Sequence, residues 1–230
     1  MTEELAVPAD DPYLWLEDVT GEAALAWVRE QNERTVGALS GSAEFERLRA
    51  EVLAALDSDE RIPFVTRRGE HLYNYWQDAA HPRGLWRRTT LESYRLEQPD
   101  WQVLLDLDAL GAAEGENWVW KGATVLRPEY RLALVELSRG GADAVVVREF
   151  DLEAREFVAD GFTLPEAKTS VGWLDADRIF VGTDFGPGSL TSSGYPRIAK
   201  LWRRGTPLDE ATLVYTGKAD DVWNRAYHDS

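Results

Sequence analysis

The residue types that could serve as nucleophile and base are few in this chain, and their spacing matches no known catalytic motif. The three histidines are His71, His81 and His228, and no cysteine is present to act as a thiolate or metal ligand. No serine has glycine two residues away on both sides, so the nucleophile elbow G-x-S-x-G is absent. His71 begins a predicted strand and His81 lies in a predicted turn. We therefore predict no catalytic residue here.

Two short motifs resemble catalytic ones but lack their context. D184-F-G186 matches the metal-binding tripeptide of protein kinases, yet the H-R-D and glycine-rich motifs are missing. We expect it to end the strand at 178–183 and to begin the loop at 186–195. H228-D-S230 contains the residue types of a serine-protease triad, but adjacent residues of an extended strand point to opposite faces. Both motifs are predicted to be structural.

Closely spaced carboxylates raise the possibility of a two-carboxylate glycosidase. The pairs Asp106/Asp108 and Glu114/Glu116 both lie in the linker 106–117, for which a solvated turn is the favoured interpretation. Glu136 lies in the middle of a predicted strand and faces either a propeller channel or an exposed surface. H-E-x-x-H, the P-loop signature and G-x-G-x-x-G are all absent. No cofactor or metal site is predicted.

The formal net charge of −16 argues against phosphate-driven nucleic-acid binding as a main role. No apolar run approaches the roughly 18 residues that a membrane span needs. The first residues lack the basic region and apolar core of a secretory signal. We expect a cytoplasmic protein with neither a nucleic acid nor a membrane as partner.

Residues 1–60 have the pattern of an N-terminal helical arm. Apolar residues recur at helical spacing in 21–39, and Asp18 and Thr20 are candidate caps. Ser42 is predicted to cap a second helix. The apolar stripe of this helix has the spacing i, i+3, i+7 and i+11 and consists of Phe45, Leu48, Val52 and Leu56. Both helices are amphipathic, so each needs a partner surface.

From residue 61 onward, short β-rich runs alternate with turns that contain Gly, Pro or acidic residues. The predicted strands are 62–66, 71–76, 84–90, 101–106, 118–126, 131–138, 144–150, 156–158, 170–174, 178–183, 197–204 and 211–217. Similar runs recur every 50 to 60 residues, roughly, with four strands in each unit, as in β-propeller blades. A β-sandwich remains the alternative, since it also has short strands at regular intervals.

The sequence thus predicts a mainly β fold with an N-terminal α-helical arm and a partial β-propeller of about three four-stranded blades. Three blades do not close a ring, because propellers typically carry about four to eight. The final residues, D220-D-V-W-N-R-A-Y-H-D-S230, are predicted to begin another strand. We therefore interpret the chain as part of a larger architecture.

The first segments resemble the N-terminus of the prolyl oligopeptidase family of serine peptidases. The resemblance rests on D11-P-Y-L-W-L-E-D-V19, G21-E-A-A-L-A-W-V28 and Q31-N-E-R-T35. It continues through R61-I-P-F64, Y73-N-Y-W-Q-D78 and G84-L-W-R-R-T89, and it covers essentially the whole chain.

In that family, a seven-bladed propeller caps an α/β-hydrolase domain whose Ser, Asp and His follow the propeller in the chain. The N-terminal arm packs on the hydrolase domain, so the resemblance implies that Tyr13, Trp15 and Leu16 anchor that domain. It also implies cleavage of short peptides, often after proline, through an acyl-enzyme. No catalytic residue of the family can be carried onto a position of this sequence.

The resulting hypothesis is an N-terminal fragment with an arm at 1–60 and a partial propeller at 61–230. Its expected partners are the missing hydrolase domain and, in the intact enzyme, short peptide substrates. Alone it is predicted to be inactive. The alternative is a non-catalytic, propeller-like binding module.

Overall fold

The computed structural model describes residues 11–18, 20–58 and 60–228. It divides into two compact units between residues 58 and 59. The first unit is helical and the second is built almost entirely from antiparallel strands. Within the described residues, no helix is long and apolar enough to cross a membrane.

The helical unit contains a 3-10 helix at Leu14–Glu17 and the helices α1 (Glu22–Leu39) and α2 (Ala43–Asp57). Ser42 caps α2 as predicted, since its hydroxyl accepts a hydrogen bond from Phe45 N at 3.1 Å. Gly21, rather than Asp18 or Thr20, is the residue before α1, and it provides no side-chain cap.

The aromatic residues of the first segment pack on α1. The rings of Tyr13 and Trp15 lie 6.4 and 6.3 Å from the ring of Trp27. The predicted apolar stripe of α2 is exposed along its whole length. Amphipathic spacing therefore predicts the helix correctly, while the stripe is left without a covering surface inside this unit.

The second unit has thirteen strands among its described residues. They are β1 Thr66–Arg68, β2 His71–Trp76, β3 Leu85–Thr90, β4 Gln102–Asp106, β5 Trp118–Val125, β6 Leu132–Arg139, β7 Val145–Asp151, β8 Glu156–Phe157, β9 Thr163–Ala167, β10 Ser170–Asp175, β11 Arg178–Gly182, β12 Ile198–Arg203 and β13 Thr212–Thr216. Two short helices follow strands, α3 at Leu91–Tyr94 and α4 at Leu107–Glu114.

These strands form three antiparallel sheets in chain order. The first sheet has the order β1-β2-β3-β4, the second β5-β6-β7-β8 with β9 also on β7, and the third β10-β11-β12-β13. Neighbours in each sheet are consecutive in the chain, apart from β9, so no Greek-key crossing of a sandwich occurs among the described strands. The mainly β class with three successive blade-like sheets is confirmed.

The prediction of four strands in the second sheet is wrong, because its outer edge is divided between β8 and β9. The chain turns around Glu149 at this point: Val158 N donates to Glu149 O, and Phe162 N donates to the Glu149 carboxylate. A Cβ at Gly161 would lie 2.8 Å from Glu149 Cβ, so only glycine fits inside the turn.

Two predicted strands are replaced by irregular segments. At 62–64, Tyr94 donates to Pro63 O and Asn74 donates to Phe64 O, so side chains occupy acceptors that a ladder would use. At 220–228 no strand is present. There the Val222 carbonyl accepts from the hydroxyl of Ser193, a loop side chain rather than a neighbouring strand.

The second sheet lies between the other two and has a core on each face. Leu137 and Phe150 belong to the cluster shared with the first sheet, which also contains Tyr73, Trp86, Leu104, Leu105, Leu107, Trp118, Ala133, Val135 and Leu152. Leu134 and Val147 belong to the cluster shared with the third sheet, which also contains Leu126, Val145, Phe162, Leu164, Trp173, Ile179, Val181 and Trp202. Alternation along β6 and β7 divides these residues between the two faces.

Candidate functional site

The first strands of the three sheets lie side by side and form a cleft. Arg68 Nη2 donates to Ala123 O at 3.5 Å, and Trp173 Nε1 donates to Thr124 O at 2.8 Å, which ties β1 and β10 to β5. We call the adjoining cavity, of about 390 Å³, the inner cleft. It is lined by Arg68, residues 123–127, Tyr130, residues 171–174, Tyr227 and His228.

Two left-handed residues shape one wall of the inner cleft. Tyr130 has a φ of 52° in the turn after β5, and its amide donates to Leu126 O at 3.0 Å. Its ring lies against Gly69, where φ is 58° and an added Cβ would be 3.1 Å from the ring. Glycine at 69 therefore allows the β1–β2 turn to approach the tyrosine closely.

The inner cleft offers free backbone groups for hydrogen bonding. Among the described residues, β1, β5 and β10 each pair with a strand on one side only. The other edge of such a strand presents unpaired N–H and C=O groups, which can pair with an added extended chain. Two of these carbonyls, at Ala123 and Thr124, already accept side-chain hydrogen bonds.

The charge of the inner cleft is opposite to that of the chain. Its described lining residues include Arg68 and Arg127 and no Asp or Glu, although the chain has 41 acidic residues against 25 Lys and Arg. Burial lowers the pKa of Arg68 and, together with the charge of Arg127, outweighs the smaller, opposing influences of Tyr73 and Tyr130. The lowered pKa indicates a partly desolvated guanidinium.

The histidines that stood out in the sequence have separate surroundings. His71 begins β2 as predicted, and burial together with the charge of Arg88 lowers its pKa. His81 lies in a turn, with Nδ1 3.0 Å from Asp78 Oδ1. Partial burial raises the pKa of Asp78, but hydrogen bonds from His81 and Trp76 outweigh it and lower the pKa overall. His228 lines the inner cleft, while the other two residues of H228-D-S230 lie outside the described residues.

The D-F-G motif has the predicted structural role. Its aspartate follows β11 and accepts hydrogen bonds from Gly186 N at 2.8 Å and Ser189 Oγ at 3.1 Å. These bonds close the start of the loop on itself. Among residues 11–18, 20–58 and 60–228, no group of three His, Asp or Glu is placed to hold a metal ion.

The four clustered carboxylates lie on and around a helix, so the prediction of a solvated turn is wrong. Asp106 caps α4 through Ala109 N at 2.9 Å, and Gly115 ends the helix with a φ of 70°. Leu107 is fully buried, which gives the helix an inner face. The remaining carboxylates bind different partners: Asp108 accepts from Arg83 N and Gly84 N, Glu114 binds Arg148, and Glu116 binds Arg139.

A comparison with models of protein families identifies the family to which these blade-like sheets belong. The model described as "Prolyl oligopeptidase, N-terminal beta-propeller domain" matches residues 4–230. The chain belongs to the prolyl oligopeptidase family.

Individual relatives agree. The uncharacterized peptidase y4nA of Sinorhizobium fredii is 45% identical over 216 residues, which are 93% of this chain and 30% of the relative. The uncharacterized peptidase RP174 of Rickettsia prowazekii is 31% identical over 87% of this chain and 29% of its own. The solved structure of a post-proline cleaving enzyme from Rickettsia typhi has a TM-score of 0.84 at 30% identity, covering 91% of this chain and 31% of that chain. The chain therefore spans about 30% of the length of these relatives.

Within this prolyl oligopeptidase-family propeller, Glu136 is half-buried rather than on an exposed face. It shares a face of β6 with Leu134, toward the third sheet, and is paired across the ladder with Gly122 and Val147. Burial raises its pKa. No hydrogen bond or ion pair joins its carboxylate to another described residue.

The inner cleft of the prolyl oligopeptidase-family chain was missed by the sequence interpretation. Arg68 lies in β1 and Arg127 in the turn after β5, and nothing in a strand pattern indicates that the first strands of two sheets meet. The only local signal is R67-R-G-E70, in which a glycine turn follows two arginines that alternation sends to opposite faces.

Proposed function

We propose that this chain is the N-terminal arm and propeller portion of a serine-type peptidase that hydrolyses short peptides, with cleavage after proline as the expected specificity. In this proposal the catalytic groups belong to a hydrolase domain outside residues 1–230, and the propeller restricts access to them. The observation that carries the proposal is the match over residues 4–230 to the propeller of this family. The structural likeness to a post-proline cleaving enzyme at 30% identity supports it.

The exposed apolar surface of the arm supports a hydrolase domain as partner. Tyr13 and Trp15 are exposed, as are Phe45, Leu48, Val52, Leu53 and Leu56 on α2. Burying one such side chain contributes roughly 1.5–3 kcal/mol, so a surface of this size is suited to permanent contact. We assign the arm, residues 1–60, to contact with the hydrolase domain and residues 61–230 to access control, and we place the protein in the cytoplasm.

A chimera tests the proposal. In it, this chain replaces the matching 31% of the Rickettsia typhi post-proline cleaving enzyme. We expect the chimera to hydrolyse short proline-containing peptides and to be labelled by a fluorophosphonate, with the parent enzyme as positive control. A folded chimera that is labelled by the probe but cleaves no peptide would refute the proposed role of this propeller in controlling the access of peptides to the catalytic groups.

The second candidate, a non-catalytic binding module, is favoured by the absence of a nucleophile elbow from the sequence. The 230-residue chain alone is expected to hydrolyse no proline peptide and to resist fluorophosphonate labelling. Labelling of a single serine, abolished by its replacement with alanine, would contradict that expectation. A stable monomeric chain that fails to function in the chimera would favour the module.

A further inference from the structure

We propose that the inner cleft binds a carboxylate of a short peptide, with the guanidinium of Arg68 as its direct partner. This inference rests on the proposed function only in one respect, namely that a peptide supplies the carboxylate. The inference itself rests on the charge, burial and open hydrogen-bonding groups of the cleft.

Arg68 is a partly buried arginine of the second unit that forms no ion pair with a described residue, in contrast to Arg88, Arg148 and Arg204. Arg88, Arg148 and Arg204 bind Glu153, Glu114 and Glu149 at 3.0, 2.7 and 2.8 Å. Arg68 has no carboxylate within 4.0 Å among the described residues. Its contacts are a 3.5 Å hydrogen bond to Ala123 O and the ring of Tyr73, 5.4 Å away.

A guanidinium has five N–H donors in a fixed fork, and most of those of Arg68 remain available. A partly desolvated charge without a partner is unfavourable. A carboxylate relieves this cost, because it accepts two parallel hydrogen bonds from the fork. Arg127 adds a second positive charge to the lining, and no Asp or Glu is found among the lining residues that the structure describes.

The walls of the inner cleft favour a peptide over a free anion. The open edges of β5 and β10 border the cavity and offer main-chain groups to an extended chain. A volume of about 390 Å³ lies within the range of about 300–1,000 Å³ typical of ligand pockets. The cleft therefore suits a short peptide whose carboxylate reaches Arg68.

Calorimetric titration of the 230-residue chain with two forms of one tetrapeptide tests the proposal. The probe is N-acetyl Ala-Pro-Ala-Ala, either with a free C-terminal carboxylate or as the C-terminal amide. We expect the free acid to bind about tenfold more tightly than the amide or better, as a charge-assisted bidentate pair requires. Arg68→Gln should abolish this preference, so that acid and amide bind equally.

Arg67→Gln is the matched control, because it removes the same charge from the adjacent, exposed position of β1. It should leave the preference intact. Arg68→Lys keeps the charge but loses the two parallel donors of the guanidinium, so it should also lower the preference for the free acid. It provides the test if Arg68→Gln does not fold. Acetate should compete weakly, whereas inorganic phosphate that binds more tightly than the peptide would overturn the peptide assignment.

Equal binding of acid and amide, no binding of either, or an equal loss in Arg67→Gln would also overturn the proposal. The result is independent of the chimera assay. A chimera that cleaves peptides while the chain shows no carboxylate preference refutes this inference alone. Carboxylate binding with an inactive chimera refutes the proposed function alone.

Discussion

The two faces of the second sheet bury hydrophobic residues equally well. They differ in how far the carboxylate of an arginine–glutamate pair is exposed to water. On β6, Leu137 toward the first sheet and Leu134 toward the third are both 0% exposed. Each junction between sheets also has an arginine–glutamate pair whose carboxylate can be compared. At the first junction Glu153 is 61% exposed, whereas the Glu149 carboxylate at the second is 1% exposed.

The first junction is largely aromatic, and the carboxylate of its Arg88–Glu153 pair lies at the rim while Arg88 itself is buried. Trp86 lies 5.1 Å from Trp120 and 5.9 Å from Phe150, and Tyr75 stacks on Trp120 at 5.4 Å. Such ring pairs stabilise beyond the area that they bury. The Arg88–Glu153 pair adds little to this junction because water reaches the carboxylate.

The second junction encloses its ion pair. Both carboxylate oxygens of Glu149 accept from Arg204 at 2.8 Å, and Oε2 also accepts from Phe162 N at 2.8 Å. This satisfies a charge that would otherwise be very unfavourable in the interior. A pair with an exposed carboxylate is therefore expected to contribute little, whereas a pair with an enclosed carboxylate makes the fold depend on both partners.

The largest expected effect is that of Arg204→Met at the second junction. It leaves Glu149 buried without its charge partner, so the free energy of unfolding should fall by about 3–5 kcal/mol. Urea unfolding followed by tryptophan fluorescence measures the change.

Arg203→Met is the control, since Arg203 is the exposed neighbour, and its effect should stay within about 0.5 kcal/mol. Adding Glu149→Gln to Arg204→Met should restore much of the loss, because the amide is neutral and still accepts from Phe162 N. A loss below about 1 kcal/mol for Arg204→Met would mean that the enclosed pair behaves like a rim pair.

A matched pair of leucine truncations tests whether the hydrophobic parts of the two junctions are equivalent. Leu134→Ala and Leu137→Ala each remove a fully buried side chain from the same strand, so each should cost about 2–5 kcal/mol. Leucine to methionine at either position should cost less than about 1.5 kcal/mol. If thermal and urea unfolding show one truncation to be nearly neutral, the corresponding junction is loosely packed and the symmetry of the comparison is lost.

The sequence is informative where pattern and local chemistry coincide. The stripe of α2 with its Ser42 cap, and the alternation in β6 and β7, predict the elements correctly because each depends on neighbours in the chain. The recurring strand sets likewise predict three sheets. The motif D-F-G is predicted to end a strand, and it does so through hydrogen bonds within the motif.

Features that depend on contacts between residues distant in the chain cannot be predicted from local sequence patterns. In V145-V-V-R-E-F150, alternation sends Arg148 and Glu149 to opposite faces, but it does not reveal that Arg204 covers the glutamate. The division of the outer edge into β8 and β9 follows from the turn around that same carboxylate. The inner cleft is similarly hidden, since Arg68 and the edges of β5 and β10 meet only after the sheets assemble.

The smallest expected effect is that of Glu153→Gln at the first junction. At neutral pH the free energy of unfolding should fall by less than about 1 kcal/mol, and less at high salt, because the carboxylate is exposed.

The hydrogen bond from Arg88 lowers the pKa of Glu153 below its usual range. The contribution of a carboxylate with a lowered folded-state pKa is present above the unfolded value, about 4.3 for Glu, and is lost as the pH falls through the folded value. The difference between wild type and Glu153→Gln should therefore vanish in acid. A difference above about 2 kcal/mol, or one that grows in acid, would place Glu153 with Glu149 and remove the contrast between rim and interior.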